Sequence, residues 1–278
     1  MIGIVVVSYR SDDRTTAFVT GELPKIGVPY SVVVVANGAS PAEADALAAR
    51  LPGVRVLPSG NGGYAKGNNL GAQWLKDHFD VTHILFSNDD VAIRSGNLAE
   101  VLLETCRHHP DIGVIGPEVV GVDGLRQSPE PYYGLWRRYV WMYLSTFFLS
   151  RAKKRRLFQL DYAEDAQEGV HYRLSGSFFL VDAEAFFRAG MFDENTFLYA
   201  EENILSERFA KIGKTCWFCP SVQVVHEHGK TINDHYGTRS RSLLQFDSMA
   251  YYYTRYKGYS RFETALVRVF YRLVLLFR

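Results

Sequence analysis

An α/β fold, built on a Rossmann-like, mainly parallel sheet with helices on both faces and closed by C-terminal helices, is predicted by three observations. Short β-branched runs alternate with helical stretches through the first 120 residues; each of the first runs ends in a polar cluster; and capping signals open the helices between them. The runs are 2–8, 30–36, 54–57, 83–86 and 113–115. Ser40-Pro41-Ala42-Glu43 reads as a capping box with proline at the first helical position, opening a helix over 44–51. With 278 residues and 47% apolar content the chain can bury a large core, and one compact unit is expected.

After Pro117 the rhythm changes. A loop with Gly121, Gly124, Pro129 and Pro131 leads into an aromatic, basic stretch at 132–158, and a strand is expected over 174–181. Asp182 then caps a short helix that Gly190 stops, residues 199–212 read as helix, and strands follow near 215–218 and 222–226. From 261 to 278 apolar residues recur at helical spacing beside a stripe of Arg261, Arg268 and Arg272. Such a helix suits an anionic membrane surface or packing against the body of the protein.

Composition narrows the function. A formal charge of +1 is no basis for general nucleic-acid binding, so no nucleic-acid partner is expected; the basic charge is local, with five Lys/Arg between 151 and 156. Three cysteines form no disulfide framework and point to a reducing compartment; Cys216-Trp217-Phe218-Cys219 lacks a second CxxC and reads as inert strand cysteines rather than a zinc or redox site. The start, 1–7, is apolar without a basic leader or cleavage site and reads as a buried strand, and no stretch approaches the roughly 18 apolar residues that span a bilayer.

Open parallel sheets bind ligands beyond the carboxyl ends of their strands. One rim therefore collects Ser8-Tyr9-Arg10, Asn37-Gly38 and Ser87-Asn88-Asp89-Asp90, together with the glycine-rich turn Asn61-Gly62-Gly63-Tyr64-Ala65-Lys66-Gly67-Asn68-Asn69-Leu70-Gly71. Its glycines allow a ligand close to the backbone, its amides can face a diphosphate, and Lys66 adds positive charge. Taken alone it could equally be a tight turn, and no GxGxxG follows the first strand. Two carboxylates closing a buried strand, with the later Glu201-Glu202 and His226-x-His228, are the parts that hold a divalent cation beside a general base. Strand alternation directs one of Asp89 and Asp90 to a metal, Mg2+ or Mn2+, and the other to a donor or water; a helix cap or exposed turn is the bland use of the same residues.

In their order these residues resemble the inverting family 2 glycosyltransferases of the GT-A fold, especially the rhamnosyltransferase-like branch. The matching set is Val5-Val6-Val7-Ser8-Tyr9, Asn37-Gly38, Asn61-x-Gly63-Tyr64-x-x-Gly67-Asn68-Asn69-x-Gly71, Asn88-Asp89-Asp90, Gly176, Gly190-Met191-Phe192-Asp193-Glu194, Glu201-Glu202 with Arg208, and His226-x-x-Gly229-x-Thr231. The resemblance implies Asp90 and His226 as metal ligands, with His228 as the other choice, and Glu202 as general base with Glu201 orienting it or pairing with Arg208. It implies Ser8, Tyr9, Arg10, Asn37, Asn61, Gly63, Lys66, Asn68 and Asp89 on the donor and Gly176, Asp193 and Tyr199 on the acceptor side.

The implied organisation is a nucleotide-sugar half at 1–120, an acceptor and catalytic half at 121–237, and a helical, membrane-associating segment at 238–278. The implied donor is a UDP- or dTDP-sugar such as dTDP-rhamnose, and the acceptor a glycan or polyprenyl-diphosphate-linked hydroxyl. An anionic membrane would be met through 151–156 and 261–278, so a cytoplasmic position at the inner face of the membrane is expected. Tyr132, Tyr133, Trp136 and Trp141 either stack on a sugar or belong to a core. Three positions depart from the family: Ala36 and Ile204 replace acids, and Glu202 replaces an aspartate. The departures leave a non-catalytic scaffold as one rival; the other, a sugar-1-phosphate nucleotidyltransferase, calls for a glycine-rich loop after the first strand, whereas 8–20 contains no glycine.

Overall fold

A computed structural model describes residues 1–227 and 238–276. Its centre is one nine-stranded sheet: β1 (Ile2–Ser8), β2 (Tyr30–Asn37), β3 (Arg55–Ser59), β4 (His83–Ser87), β5 (Val91–Ile93), β6 (Ile112–Gly121), β7 (Gly169–His171), β8 (Phe178–Asp182) and β9 (Thr215–His226). The order is β3-β2-β1-β4-β8-β6-β9-β5, with β7 also paired to β9. From the pairings, β3, β2, β1, β4, β6 and β9 run one way, and β5, β7 and β8 run against them. The sheet is therefore mainly parallel. One strand from the second half, β8, is inserted between β4 and β6, so both halves share a single sheet.

Around it lie α1 (Asp12–Ala17), α2 (Pro41–Arg50), α3 (Gly63–His78), α4 (Leu98–His108), α5 (Met142–Phe148), α6 (Arg151–Phe158), α7 (Tyr162–Asp165), α8 (Ala183–Arg188), α9 (Glu201–Lys211), α10 (Thr238–Tyr256) and α11 (Arg261–Val274). The Ser40–Glu43 capping box opens α2, a second one from Ser260 and Glu263 opens α11, and Asp182 caps α8 by accepting from the Ala185 amide. Alternation sends Ile2, Ile4 and Val6 to one face, packed with Leu47 of α2 and Leu102 of α4. Val5, Val33, Val35 and Phe86 go to the other, packed with Leu75 of α3 and Phe209 of α9.

A third apolar cluster joins Leu135 and Tyr139 to Phe246, Tyr252 and Tyr253 of α10 and Val267 and Tyr271 of α11. Ile204 of α9 is fully buried in it, which explains an apolar residue at that place: an acid there would lose its hydration under the C-terminal helices.

Three expectations need correction. The strand expected over 174–181 is shorter and later, Phe178–Asp182, because 176–177 form a turn. The two strands expected at 215–218 and 222–226 are one strand, β9, whose register on β6 shifts between Pro117 and Glu118. Asp89 and Asp90 sit in the tight turn from β4 to β5 rather than on a strand, so alternation does not set their directions.

Candidate active site

The register places the site. Ser8 pairs with Ala36, Asn37 with Ser59 and Val6 with Ser87, while Gly121 and Val91 both pair with His226. The carboxyl ends of β1, β2, β4 and β9 thus open on one rim.

At one end of that rim Tyr9, Asn37 and Asn61 meet. The Asn37 amide donates to Asn61 Oδ1 at 3.3 Å, its Oδ1 accepts from the Gly62 amide at 3.2 Å, and Asn61 donates to the Tyr9 hydroxyl at 3.5 Å. The Arg10 guanidinium lies over the Tyr9 ring, 5.5 Å from its centroid, and Lys66 is exposed beside Gly62. These residues offer an aromatic face, amides and two cations to a ligand.

Four donor-side expectations change. A Cβ on Gly63 would lie 2.0 Å from the Phe197 carbonyl oxygen, so this glycine admits the chain's own backbone rather than a ligand. Asn68 is buried and donates to the Tyr64 carbonyl of its own helix at 3.0 Å. Asp89 is buried and accepts from Ser11 at 2.6 Å, Thr15 at 2.7 Å and Arg14 Nε at 2.9 Å; the Thr15 hydroxyl also lies 2.7 Å from Ser8 Oγ, within hydrogen-bond distance. Ser8 and Asp89 are therefore tied into a network that pins α1 to the turn after β4, and their side chains face protein.

Asp90 differs. Its Oδ1 is buried and has no hydrogen-bond partner, yet it lies 3.2 Å from Nε2 of His226. Nδ1 of the same ring is 2.8 Å from Oε1 of Gln127, an acceptor, which assigns the ring proton to Nδ1 and leaves a lone pair on Nε2. A carboxylate oxygen and an imidazole lone pair then face each other, an arrangement that a cation between them satisfies. Asn88 Nδ2 completes the corner 3.5 Å from Nε2. Among the described residues no cluster of three or more His, Cys, Asp or Glu side chains could hold a metal, so this pair would need oxygens from a substrate or water to complete a coordination shell. His228 lies outside the described residues, as do Gly229 and Thr231.

The acid pair opens α9. Glu201 is 2% exposed with an unpartnered Oε1; burial first, then the neighbouring Glu202, push its carboxyl well above the usual range. Glu202 is half-buried and packs on backbone: a Cβ on Gly176 would fall 2.0 Å from its Oε1. The approach to α9 passes through Tyr199 at φ 74° and Ala200 at φ 70°, two left-handed non-glycine residues that cost about 1–3 kcal/mol each and set the angle at which the pair enters the rim. Tyr64 donates to the Gly176 carbonyl at 2.7 Å, and the Asn88 amide donates to the Ser177 carbonyl at 2.8 Å. The segment under Glu202 is thus bonded both to α3 and to the residue beside the Asp90–His226 corner.

Comparison with known proteins agrees with this fold. No protein-family model matches the chain. It is 28% identical over 252 residues to the N-acetylglucosaminyl-diphospho-decaprenol L-rhamnosyltransferase of Mycobacterium tuberculosis, covering 81% of this chain and 76% of the relative. It is 23% identical to the low-salt glycan biosynthesis hexosyltransferase Agl10 of Haloferax volcanii, covering 81% of this chain and 66% of that one, just under two thirds of its length. Among solved structures it overlays the mannosyltransferase PcManGT of Pyrobaculum calidifontis, in complex with GDP-Man and Mn2+, at a TM-score of 0.61 and 12% identity, over 94% of this chain and 65% of the other. The chain is a GT-A glycosyltransferase.

Within this glycosyltransferase two further expectations change. Asp193, placed on the acceptor side, is 4% exposed and accepts from Tyr256 at 2.6 Å, Tyr251 at 3.0 Å and the Asn195 side chain at 2.7 Å, with Arg208 at 3.2 Å. It ties α9 and α10 to the loop after α8 and has no oxygen left for an acceptor. Arg208 pairs with Asp193, and also donates to the Met191 carbonyl at 2.8 Å, so it is not the partner of Glu201. The cysteines follow the inert reading: Cys216 and Cys219 lie in the cores on opposite faces of the sheet, and burial pushes the Cys216 thiol up to about 11. Gln127 is the residue that sequence reasoning missed. It sits in the Gly/Pro loop after β6, where nothing periodic marks it, and only the return of β9 brings it to His226.

Proposed function

We propose that this glycosyltransferase is metal-dependent and inverting, and that it moves a sugar from a UDP- or dTDP-sugar, with dTDP-rhamnose the first candidate, to a hydroxyl of a lipid-linked glycan. The relative named as acting on a decaprenol-linked sugar supports the acceptor class and a working position at the inner face of the cell membrane. The single observation that carries the metal reading is the buried, unpartnered oxygen of Asp90 facing the lone pair of His226.

Residues 1–120 form the donor half in this reading, 121–237 the acceptor and catalytic half, and 238–278 the helical segment behind them. Tyr9, Arg10, Asn37, Asn61 and Lys66 bind and orient the nucleotide. Asp90 and His226 would hold Mg2+ or Mn2+, which when bound supplies positive charge to the leaving diphosphate. Glu202 accepts the acceptor hydroxyl's proton as that oxygen attacks the anomeric carbon opposite the leaving group, giving inversion. Burial first, then the neighbouring Glu202, hold the Glu201 carboxyl well above the usual range, so Glu201 is cast as the residue beside the base rather than the base itself. Tyr64 holds the Gly176 backbone on which Glu202 rests.

The test is release of nucleoside diphosphate and of glycosylated product from dTDP- and UDP-sugars with a polyprenyl-diphosphate-linked acceptor and Mn2+. Product in the wild type, lost with chelator and lost in Glu202→Gln, supports the reading; product of retained anomeric configuration overturns the inverting step.

A further inference from the structure

The C-terminal helix settles on the protein by its narrow side. Thr264, Val267 and Tyr271 of α11 are buried, whereas Phe262, Leu266, Val269, Leu273 and Leu276 stand 77%, 50%, 59%, 52% and 57% exposed. The first four are spaced four, three and four residues apart and make one stripe along the helix, with Leu276 in the turn just after it. A helix whose wider apolar stripe faces water is unfinished as a packing element.

The neighbouring helices share this character. The turn that leads into α5 packs on α11, with Tyr139 edge-on to Tyr271 at 5.1 Å and the Trp136 indole donating to Glu263 at 3.3 Å. Beyond it Trp141, Phe147 and Phe148 are 60%, 78% and 81% exposed. Of the sixteen large apolar side chains exposed among the described residues, ten lie in 141–160 or 262–276, so the apolar surface is concentrated here. Charge is concentrated in the same layer: 132–158 and 261–276 together hold ten Lys/Arg and one acid, Glu263, in a chain of net charge +1. On α6, Arg151, Lys153 and Arg156 are exposed, and Arg151, Lys154 and Arg155 line a groove with Leu149 and Leu160.

We propose that the outer stripe of α11, the α5 aromatics and the α6 cations form one surface that docks on an anionic lipid bilayer, with the apolar side chains entering the acyl boundary and the cations at the phosphates. Charge complementarity decides the occupant: a second copy would set the exposed cations Arg151, Lys153 and Arg156 of α6 against like charges, while an anionic leaflet neutralises them and takes up the aromatics. Among the described residues no helix is long and apolar enough to cross a membrane, and this surface needs none. Docking does not depend on the transfer reaction, and vesicle binding without substrate separates the two.

The experiment is co-sedimentation of the whole chain with vesicles of phosphatidylcholine alone and of phosphatidylcholine with phosphatidylglycerol, at low and high salt, alongside light scattering for oligomeric state. Binding to the anionic vesicles, weakened by salt, is expected, with a loss of at least about tenfold in Leu266→Glu/Leu273→Glu at unchanged melting temperature. Lys153→Glu/Lys154→Glu on α6, which leaves α11 intact, is expected to lose a similar factor. Wild-type protein that stays in the supernatant, binding indifferent to lipid charge, or a dimer that Leu266→Glu/Leu273→Glu dissociates without any vesicle binding would each overturn the proposal.

Discussion

The carboxylate of Asp90 and the imidazole of His226 meet at 3.2 Å, across the end of the sheet, with no hydrogen bond formed by the buried Asp90 oxygen. Gln127 fixes the ring from behind. Asp90→Ala and His226→Ala are expected to abolish the rise in melting temperature that a nucleotide-sugar gives with Mn2+. Gln127→Ala, which leaves both ligands but removes the acceptor behind the ring, is expected to raise the Mn2+ concentration needed for half-maximal activity by roughly 10- to 100-fold. Titration of Mn2+ against product formation measures both.

Glu202→Gln keeps the shape of the side chain and removes the proton acceptor. Transfer is expected to fall by about 10²- to 10⁴-fold while donor binding, read by calorimetry, stays within error. An equal loss of binding would make Glu202 a donor contact instead of a base.

Two glycines separate the site from the scaffold. In Gly176→Ala the new Cβ meets the end of the Glu202 side chain, which can swing away, so turnover is expected to drop at least about tenfold with little change in melting temperature. In Gly63→Ala the obstacle is the Phe197 carbonyl at 2.0 Å and the backbone is at φ 86°, so stability is expected to fall by more than about 1 kcal/mol. Denaturant unfolding beside initial rates distinguishes the two.

Asp193 gives the fold an acid limit. Burial pushes its carboxyl up, but hydrogen bonds from Tyr256, Asn195 and Tyr251 outweigh burial and hold it at about 2. A carboxyl depressed on folding stabilises the protein above its unfolded value near 3.9, and that stability is lost as pH falls toward 2. Up to about 2 kcal/mol is at stake, and Asp193→Asn is expected to flatten this part of the stability–pH curve.

The α/β alternation, the rim and the order of its motifs were legible in the sequence because β-branched runs, capping boxes and polar strand ends are local signals. Capping at Ser40 and Asp182 followed from a few neighbouring residues. What was not legible depends on residues far apart in the chain. Asp89 reads like Asp90 until α1 folds back and gives it three donors, and Asp193 reads as a site residue until α10 brings two tyrosines to it. The insertion of β8 between β4 and β6 is likewise set by packing across the sheet, and Ile204 makes sense only once the C-terminal helices cover it.

The measurement that bears most directly on the central claim is nucleoside diphosphate release from a dTDP- or UDP-sugar, followed with Mn2+, with chelator, and in Asp90→Ala. Release that needs the metal and disappears in the variant is the predicted result. Release at the same rate with chelator, or in Asp90→Ala, would contradict it.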